Sequence, residues 1–430
     1  MNPMAEELNE MIKKNNPNVL SMLSKKGKEI FFPKKGILAQ SAEAKGKKIN
    51  ATIGIALEDD GTPLALDTVT KLVELPKGDV VNYAPSYGNA ELRKQWQNMM
   101  FEKNPSLGGK KISLPVVTNA LTHGLSMCGY MFLDEDDELI IPEPYWGNYK
   151  LIFNNGYGAK IVGFPVFEGE GYNTEALSKT LMAGGKKKVL LLNNPNNPTG
   201  YTPLDNEIPK IVGAIKDAAD KGKKIVVIID DAYFGLVYED GVYRESLFTN
   251  LCDLSENVLA VKLDGATKED YVWGLRVGFL TYAIKGGDEF IYKALEDKTA
   301  GAVRGNISNA PNISQSIVLK SFTDPDYKEQ KEKKYETLRK RAVKVRKIID
   351  EHPEYTEYFK ALPFNSGYFM CIKLVDGLDA EEVRQLLLKK YDTGVIAMPP
   401  LLRVAFSATP FKLLEELFDN IFNACKLLKE

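Results

Sequence analysis

The chain reads as an α/β protein: a large domain with a mostly parallel sheet covered by helices, plus a smaller α+β domain. Three observations carry that reading. First, Lys188-Val-Leu-Leu-Leu-Asn193, Lys224-Ile-Val-Val-Ile-Ile-Asp230 and Asn257-Val-Leu-Ala-Val-Lys262 are apolar throughout and do not alternate. A strand with one wet face alternates, whereas a continuous apolar run suits a strand covered on both faces, as in a parallel sheet. Second, between the first two runs Ile208, Ile211, Val212, Ile215 and Ala218 fall on one helical stripe. Strand, helix, strand at roughly 35 residues per repeat is a βαβ unit. Third, the pattern changes toward the C-terminus, where one long charged helix precedes two further strands and a terminal helix.

Taken in order, Glu138-Leu-Ile-Ile-Pro142 is an earlier strand of the same sheet. Residues 326–350 form the charged helix, with Leu338, Ala342, Val345, Ile348 and Ile349 inside. Its ten Lys/Arg between Lys328 and Lys347 are interleaved with Glu329, Glu332 and Glu336, the pattern of a solvated face and not of a nucleic-acid surface. Gly367-Tyr-Phe-Met-Cys-Ile-Lys373 and Leu401-Leu-Arg-Val-Ala-Phe406 are strands. The terminal helix is expected to open with Thr409 as N-cap and Pro410 at its first position. Leu413, Leu414, Leu417, Phe418, Ile421 and Phe422 supply its buried side. The expected division is 1–60 as a segment joining the small domain, 61–314 as the large domain and 315–430 as the small one.

Composition narrows the function classes. At 430 residues with 44% hydrophobic and 27% charged residues, the chain has ample material for a core. Its 56 Lys+Arg against 58 Asp+Glu give no basic surplus for nucleic acid. Four scattered cysteines and two distant histidines offer neither a zinc spacing nor a disulfide framework, so a reducing compartment is the simpler reading. Residues 1–28 lack the apolar core of a signal peptide, and no run reaches the ~18 apolar residues that span a bilayer. A cytoplasmic protein that binds neither membrane nor nucleic acid is expected.

Open parallel sheets bind ligands at the carboxyl ends of their strands. There the chain delivers Asn193-Asn-Pro-Asn-Asn-Pro-Thr-Gly200, then Asp230-Asp231-Ala232-Tyr233, then Asp264-Gly-Ala-Thr-Lys268, with Arg276 eight residues on. One edge thus receives an amide, a carboxylate, a phenol, an amine and a guanidinium: an amine nucleophile beside an anion site. No phosphate loop of the Gly-x-x-x-x-Gly-Lys-Ser/Thr kind exists.

This series, Asn-Pro-x-Asn-Pro-Thr-Gly, Asp-x-Ala-Tyr, Lys, then Arg, resembles the fold-type-I aminotransferases that use pyridoxal 5'-phosphate, from about Lys48 to the C-terminus. The resemblance implies that Lys268 holds the cofactor as a Schiff base, which needs an amine of lowered pKa. Lys262 is the competing lysine, and the Arg276 spacing favours Lys268. Asp230 is implied to face the pyridine nitrogen, with Asp231 as its rival and Ala232-Tyr233 deciding the register. Asn197 and Tyr233 are implied to bond the phenolic oxygen, and Trp146 to stack on the ring. For the phosphate, Arg276 and the helix start at Ala120, Leu121 and Thr122 are implied.

The sequence departs from the family in three places. Ala120 stands where Gly is usual, and Gly265 where Ser is usual three residues before the lysine, with Thr267 or Thr122 as candidate replacement hydroxyls. Thr52 stands where Gly is usual in Asn50-Ala-Thr-Ile-Gly54, the stretch implied to lie over the substrate through Thr52 and Ile53. Arg403, flanked by Leu, Val and Phe, resembles the clamp on the substrate α-carboxylate.

A homodimer with shared active sites is implied, in which Tyr83, rather than Tyr87, reaches the neighbouring phosphate. Arg304, in Arg-x-x-x-Ser-Asn, resembles the aspartate and aromatic branch, where it crosses to a substrate side-chain carboxylate; the alternative is a solvated arginine or one paired with Asp297. The implied activity moves the amino group of an L-amino acid, aspartate, glutamate or aromatic, to a 2-oxo acid. The alternative is a lyase or decarboxylase on the same scaffold. A transcription regulator would need a DNA-binding domain, for which too little chain precedes Lys48.

Overall fold

The computed structural model describes residues 1–33 and 36–430. In chain order the strands are β1 (Ile49–Asn50), β2 (Val116–Asn119), β3 (Glu138–Glu143), β4 (Lys160–Pro165), β5 (Phe167–Glu168), β6 (Gly171–Tyr172), β7 (Lys187–Asn193) and β8 (Lys224–Asp230). They continue as β9 (Val258–Asp264), β10 (Val277–Ile284), β11 (Phe359–Ala361), β12 (Met370–Leu374), β13 (Thr393–Gly394), β14 (Ile396–Met398) and β15 (Leu401–Val404). The central sheet has seven strands in the order β2-β10-β9-β8-β7-β3-β4. Its pairings are parallel except at β10, which runs antiparallel to both neighbours. A second, antiparallel sheet has the order β11-β12-β15-β14.

The apolar runs become these strands because both faces of the central sheet are covered. In β7, every residue after Lys187 is buried, and in β9 all but Leu259 are. The helix Ile208–Asp220 buries Ile208, Ile211, Ala214, Ile215 and Ala218 against the sheet. Beside β10, Trp96 stacks on Phe279 at 4.1 Å between ring centres while its indole N–H donates to Asp264 at 3.1 Å. Truncating so large a buried aromatic costs about 3–5 kcal/mol. The helix Ala120–Phe132, which leaves the end of β2, lies so close to β9 that a Cβ on Gly124 would stand 2.2 Å from Leu263 Cδ1.

Register sets the ends of the strands level: Asn193 of β7 pairs with Asp230 of β8, and Asp230 with Leu263 of β9. Everything that follows these residues therefore emerges at one edge. The C-terminal sheet faces that edge through β15, which carries Arg403 opposite Cys371 of β12 and Ile396 of β14.

The N-terminal residues touch both regions. Ile49–Asn50 pairs in parallel with Thr393–Gly394, whereas Lys25 bonds Glu135 at 2.6 Å and Asn155 donates to the Glu29 carbonyl at 3.2 Å. The charged helix spans Tyr327–Glu351. The terminal helix begins later than the sequence suggests. Pro410 is followed by a 3₁₀ turn, Phe411–Leu413, and the α-helix runs Leu414–Lys429. Thr409 donates its hydroxyl back to the Ala405 carbonyl at 3.0 Å instead of accepting from a helix N–H, so it does not act as the cap. Among the described residues no helix is long and apolar enough to cross a membrane.

Candidate active site

Between the sheet edge and β15 lies a cavity of about 720 Å³ whose walls include Asp230, Tyr233, Lys268, Asn197, Trp146 and Arg403. Asp230 is the last residue of β8, and strand alternation sends it and Asp231 to opposite sides. Asp230 turns into the cavity, where its Oδ2 accepts the Tyr149 hydroxyl at 2.6 Å and its Oδ1 the Ala232 N–H at 3.2 Å. Asp231 turns away and is held by Lys262 and by the Ser246 hydroxyl at 2.5 Å. Lys262 is thereby accounted for: it is buried between Asp231 and Asp264, outside the cavity. Burial pushes the Asp230 carboxyl up, opposed by the Tyr149 hydrogen bond and the charge of Lys268.

Lys268 sits on a single helical turn, Ala266–Glu269, that follows β9. Its Nζ lies 5.0 Å from the centre of the Tyr233 ring, and the Tyr368 hydroxyl donates to its carbonyl at 3.2 Å. Burial brings its amine down to about 8, with Asp230 opposing and Arg276 adding to the shift. An amine in that range is partly unprotonated near neutrality, the condition for a nucleophile or a proton carrier.

Arg403 is only 3% exposed. Its Nη1 donates to Asn197 at 3.3 Å and its Nη2 to the Thr52 carbonyl at 3.2 Å, over the Phe369 ring at 4.2 Å. Its Nε has no partner, and no carboxylate pairs with it among the described residues. A buried guanidinium left in that state is a receptor for an anion such as a carboxylate. Tyr233 is buried beside it, and burial raises its phenol while Arg403 opposes.

The anion end lies at the start of the Ala120–Phe132 helix. Ala120 takes a left-handed φ of 61°, the conformation in which Gly is favoured. The Thr118 hydroxyl donates to the Ala120 carbonyl at 2.9 Å and helps hold that turn. Leu121 and Thr122 line the 720 Å³ cavity; Thr122 also lines an adjoining cavity of about 620 Å³ that contains Arg276. Arg276 has a φ of 58°, donates to the Trp273 carbonyl at 2.9 Å and makes no ion pair among the described residues. Of the two replacement hydroxyls, Thr122 faces both cavities, whereas Thr267 is buried against the Val277 carbonyl at 3.5 Å. The glycine at 265 has a steric reason: a Cβ there would lie 2.6 Å from the Val277 carbonyl oxygen and 2.8 Å from Gly278 Cα.

This donor set fits pyridoxal phosphate: a low-pKa amine for an aldehyde, a buried carboxylate for a ring nitrogen, and an unpaired arginine with a helix start for a phosphate. Six sequence candidates do not line the 720 Å³ cavity: Arg276 lines only the adjoining one, Ala120 and Thr267 lie buried behind the wall, and three more stand apart. Tyr83 is 91% exposed, Arg304 lies exposed in the last turn of the helix Glu289–Ile307, and Ile53 is half-buried between the lining residues Thr52 and Gly54. Asp297, the alternative partner of Arg304, is taken by Lys293 and by the Tyr87 hydroxyl at 2.7 Å. Sequence reasoning missed Tyr149, Phe369 and the wall formed by Phe31, Ile37 and Gln40. Tyr149 was findable, since it ends the aromatic turn Pro144-Tyr-Trp-Gly-Asn-Tyr149; the wall carries no local signal.

The family described as "Aminotransferase class I and II" matches residues 46–421. The chain belongs to that family. Within the class I and II aminotransferases it is 25% identical to an aspartate aminotransferase of Thermotoga maritima, over 93% of this chain and 98% of that one. It is 24% identical to an aspartate aminotransferase of Bacillus subtilis, over 79% and 82% of the two. Its fold is that of a solved aminotransferase from Anaerococcus prevotii, with a TM-score of 0.82 at 24% identity, covering 94% of this chain and 99% of that one.

Proposed function

We propose that this class I and II family member is a pyridoxal-phosphate-dependent aminotransferase, moving the amino group of an L-amino acid to a 2-oxo acid. The observation that carries the reading is the convergence of Lys268, Asp230 and Arg403 on one cavity, each buried or half-buried. When bound, the cofactor supplies an electron sink for the bonds at the substrate Cα.

The chain's own residues do the rest. Arg276 and the backbone N–H groups at Ala120, Leu121 and Thr122 receive the phosphate. Asp230, held by Tyr149, keeps the ring nitrogen protonated, and Asn197 and Tyr233 bond the phenolic oxygen. Trp146 forms an aromatic wall. Arg403 binds the substrate α-carboxylate through the donor it leaves unpaired, and Thr52 and Ile53 close over the substrate. Lys268 would hold the cofactor through its amine and, when that amine is free, would carry the proton from Cα, with its lowered pKa keeping it ready as a base.

The working assembly is a homodimer, in which exposed Tyr83 and Arg304 reach the partner's site. Aspartate, glutamate or an aromatic amino acid is the proposed donor, and the 1–60, 61–314 and 315–430 division remains the proposed domain scheme. A cytoplasmic location is part of the same reading.

The test is incubation of the loaded protein with an amino acid and no acceptor. One equivalent of pyridoxamine phosphate and of 2-oxo acid per site is expected, followed by arrest. Continued release of ammonia instead would overturn transfer in favour of elimination.

A further inference from the structure

The helix Tyr327–Glu351 is fastened along its length, Lys334 meeting Glu58 and Tyr335 donating to the Val237 carbonyl. Two of its fastenings, ten residues or about 15 Å apart, serve the site. At one point, Lys331 Nζ bonds Glu269 Oε1 at 2.9 Å and Asp270 Oδ1 at 3.0 Å, and the Tyr327 hydroxyl donates to Asp270. Glu269 and Asp270 are buried and directly follow Lys268. A single helical turn has too few internal hydrogen bonds to hold itself, so external contacts fix it.

At the other point, the fully buried Arg341 donates from Nη1 to the Leu57 carbonyl at 2.7 Å and the Ser407 carbonyl at 2.6 Å. Its Nη2 meets Asp59 at 2.8 Å. These contacts knit the exit of β15, which carries Arg403, to the segment that carries Thr52. Ala405 N–H also donates to the Ala51 carbonyl at 2.9 Å across the same junction. Among the described residues the buried Arg341 Nε has no partner. An apolar side chain would pack there at lower desolvation cost, so stability alone is a poor account of the arginine.

We infer that this helix is a strut that fixes the separation between the Lys268 amine and the Arg403 guanidinium, with Lys331 and Arg341 as positioning residues at its two ends. The catalytic consequence rests on the aminotransferase reading; the mechanical coupling does not. Lys103 provides an internal control. It bonds the same Glu269 Oε1 at 2.6 Å but comes from the helix Ala90–Lys103, which does not reach β15.

The experiment is hydrogen exchange by mass spectrometry on the full cofactor-free chain. Lys331→Gln should raise exchange at least about fivefold in residues 266–272 and also in the remote peptides 51–59 and 401–408. Lys103→Gln should raise it in 266–272 only, and Lys331→Arg should restore the wild-type pattern. Arg341→Gln should produce the reciprocal effect at 266–272; if that variant does not fold, the two remote peptides in Lys331→Gln decide.

In loaded enzyme, Lys331→Gln should lower kcat about tenfold with KM within about threefold, because the carboxylate clamp survives while its register with the amine is lost. The Lys331→Gln, Arg341→Gln double variant should be no slower than the worse single one, since both substitutions act on the same amine-to-guanidinium register through one helix. Exchange confined to 266–272 in Lys331→Gln, or multiplying kcat losses, overturns the strut. Absence of 2-oxo acid product from every protein, wild type included, with the exchange pattern intact, would instead overturn the aminotransferase reading.

Discussion

Tyr149→Phe removes one hydroxyl from a side chain that is 1% exposed, so the packing of its ring is preserved and only the bond to Asp230 is lost. That bond is short, 2.6 Å, and donates to a carboxylate. Hydrogen bonds to charged groups contribute roughly 1.5–3 kcal/mol, and at 1.36 kcal/mol per unit this predicts a rise of about 1–2 units in the Asp230 pKa. Burial already pushes that carboxyl up; the variant removes the first of the opposing influences and leaves Lys268 and the Ala232 N–H. Asp230 must be ionised to pair with a protonated ring nitrogen. The acid limb of the amino-acid half-reaction, followed by stopped flow from about pH 5 to 9, should therefore move upward by about 1–2 units, with the plateau rate nearly unchanged.

The stability sign follows from the same shift. A carboxyl whose folded pKa lies above its unfolded value binds more protons when folded, so it weakens folding as pH rises through the unfolded pKa. Raising it further makes Tyr149→Phe less stable than wild type at pH 8 and nearly equal to it in acid, which urea titrations at both pH values would reveal. An unmoved acid limb together with a pH-independent stability loss would refute the argument and return Tyr149 to a packing role.

Gly265→Ser restores the family's usual hydroxyl but forces a Cβ to 2.6 Å from the Val277 carbonyl oxygen; unfolding free energy should fall by about 1–3 kcal/mol, without tighter cofactor binding by the apoprotein. Lys268, brought down to about 8 from 10.5, should show half-maximal acylation near pH 8 in cofactor-free protein, read by peptide mass spectrometry. Because the unfolded chain keeps that proton to higher pH, Lys268 should make folding more favourable as pH rises from about 8 toward 10.5, by at most about 3 kcal/mol in urea titrations. Arg304→Leu should reduce kcat/KM for aspartate and glutamate at least about 30-fold while aromatic donors change little. Equal losses for both classes would mark damaged packing, and no loss would leave Arg304 a solvated residue.

The sequence by itself determined the four strands β3, β7, β8 and β9 of the central sheet and the identities of the residues at its edge, but not β2, β4 or the antiparallel β10. Continuous apolar runs, a 3.6-residue stripe between them and polar clusters just beyond each run are local properties, and parallel strands bring their ends together whatever the details of packing. Hence Asn197, Asp230, Tyr233 and Lys268 were all legible from chain order, and all four line the cavity.

The tertiary structure decided matters of facing and of long-range contact. Alternation states that Asp230 and Asp231 point oppositely, but only the packed sheet shows that Asp231 and Lys262 neutralise each other on the buried side. Gly265 and Thr267 depend on the approach of β10, and Tyr149 depends on a turn 81 residues before the carboxylate it holds. The wall at Phe31, Ile37 and Gln40 and the fastenings of the Tyr327–Glu351 helix at Lys331 and Arg341 likewise join segments far apart in sequence. Such contacts leave no periodic trace, because a side chain's pattern in the sequence reports whether it is buried, not which distant atom buries it.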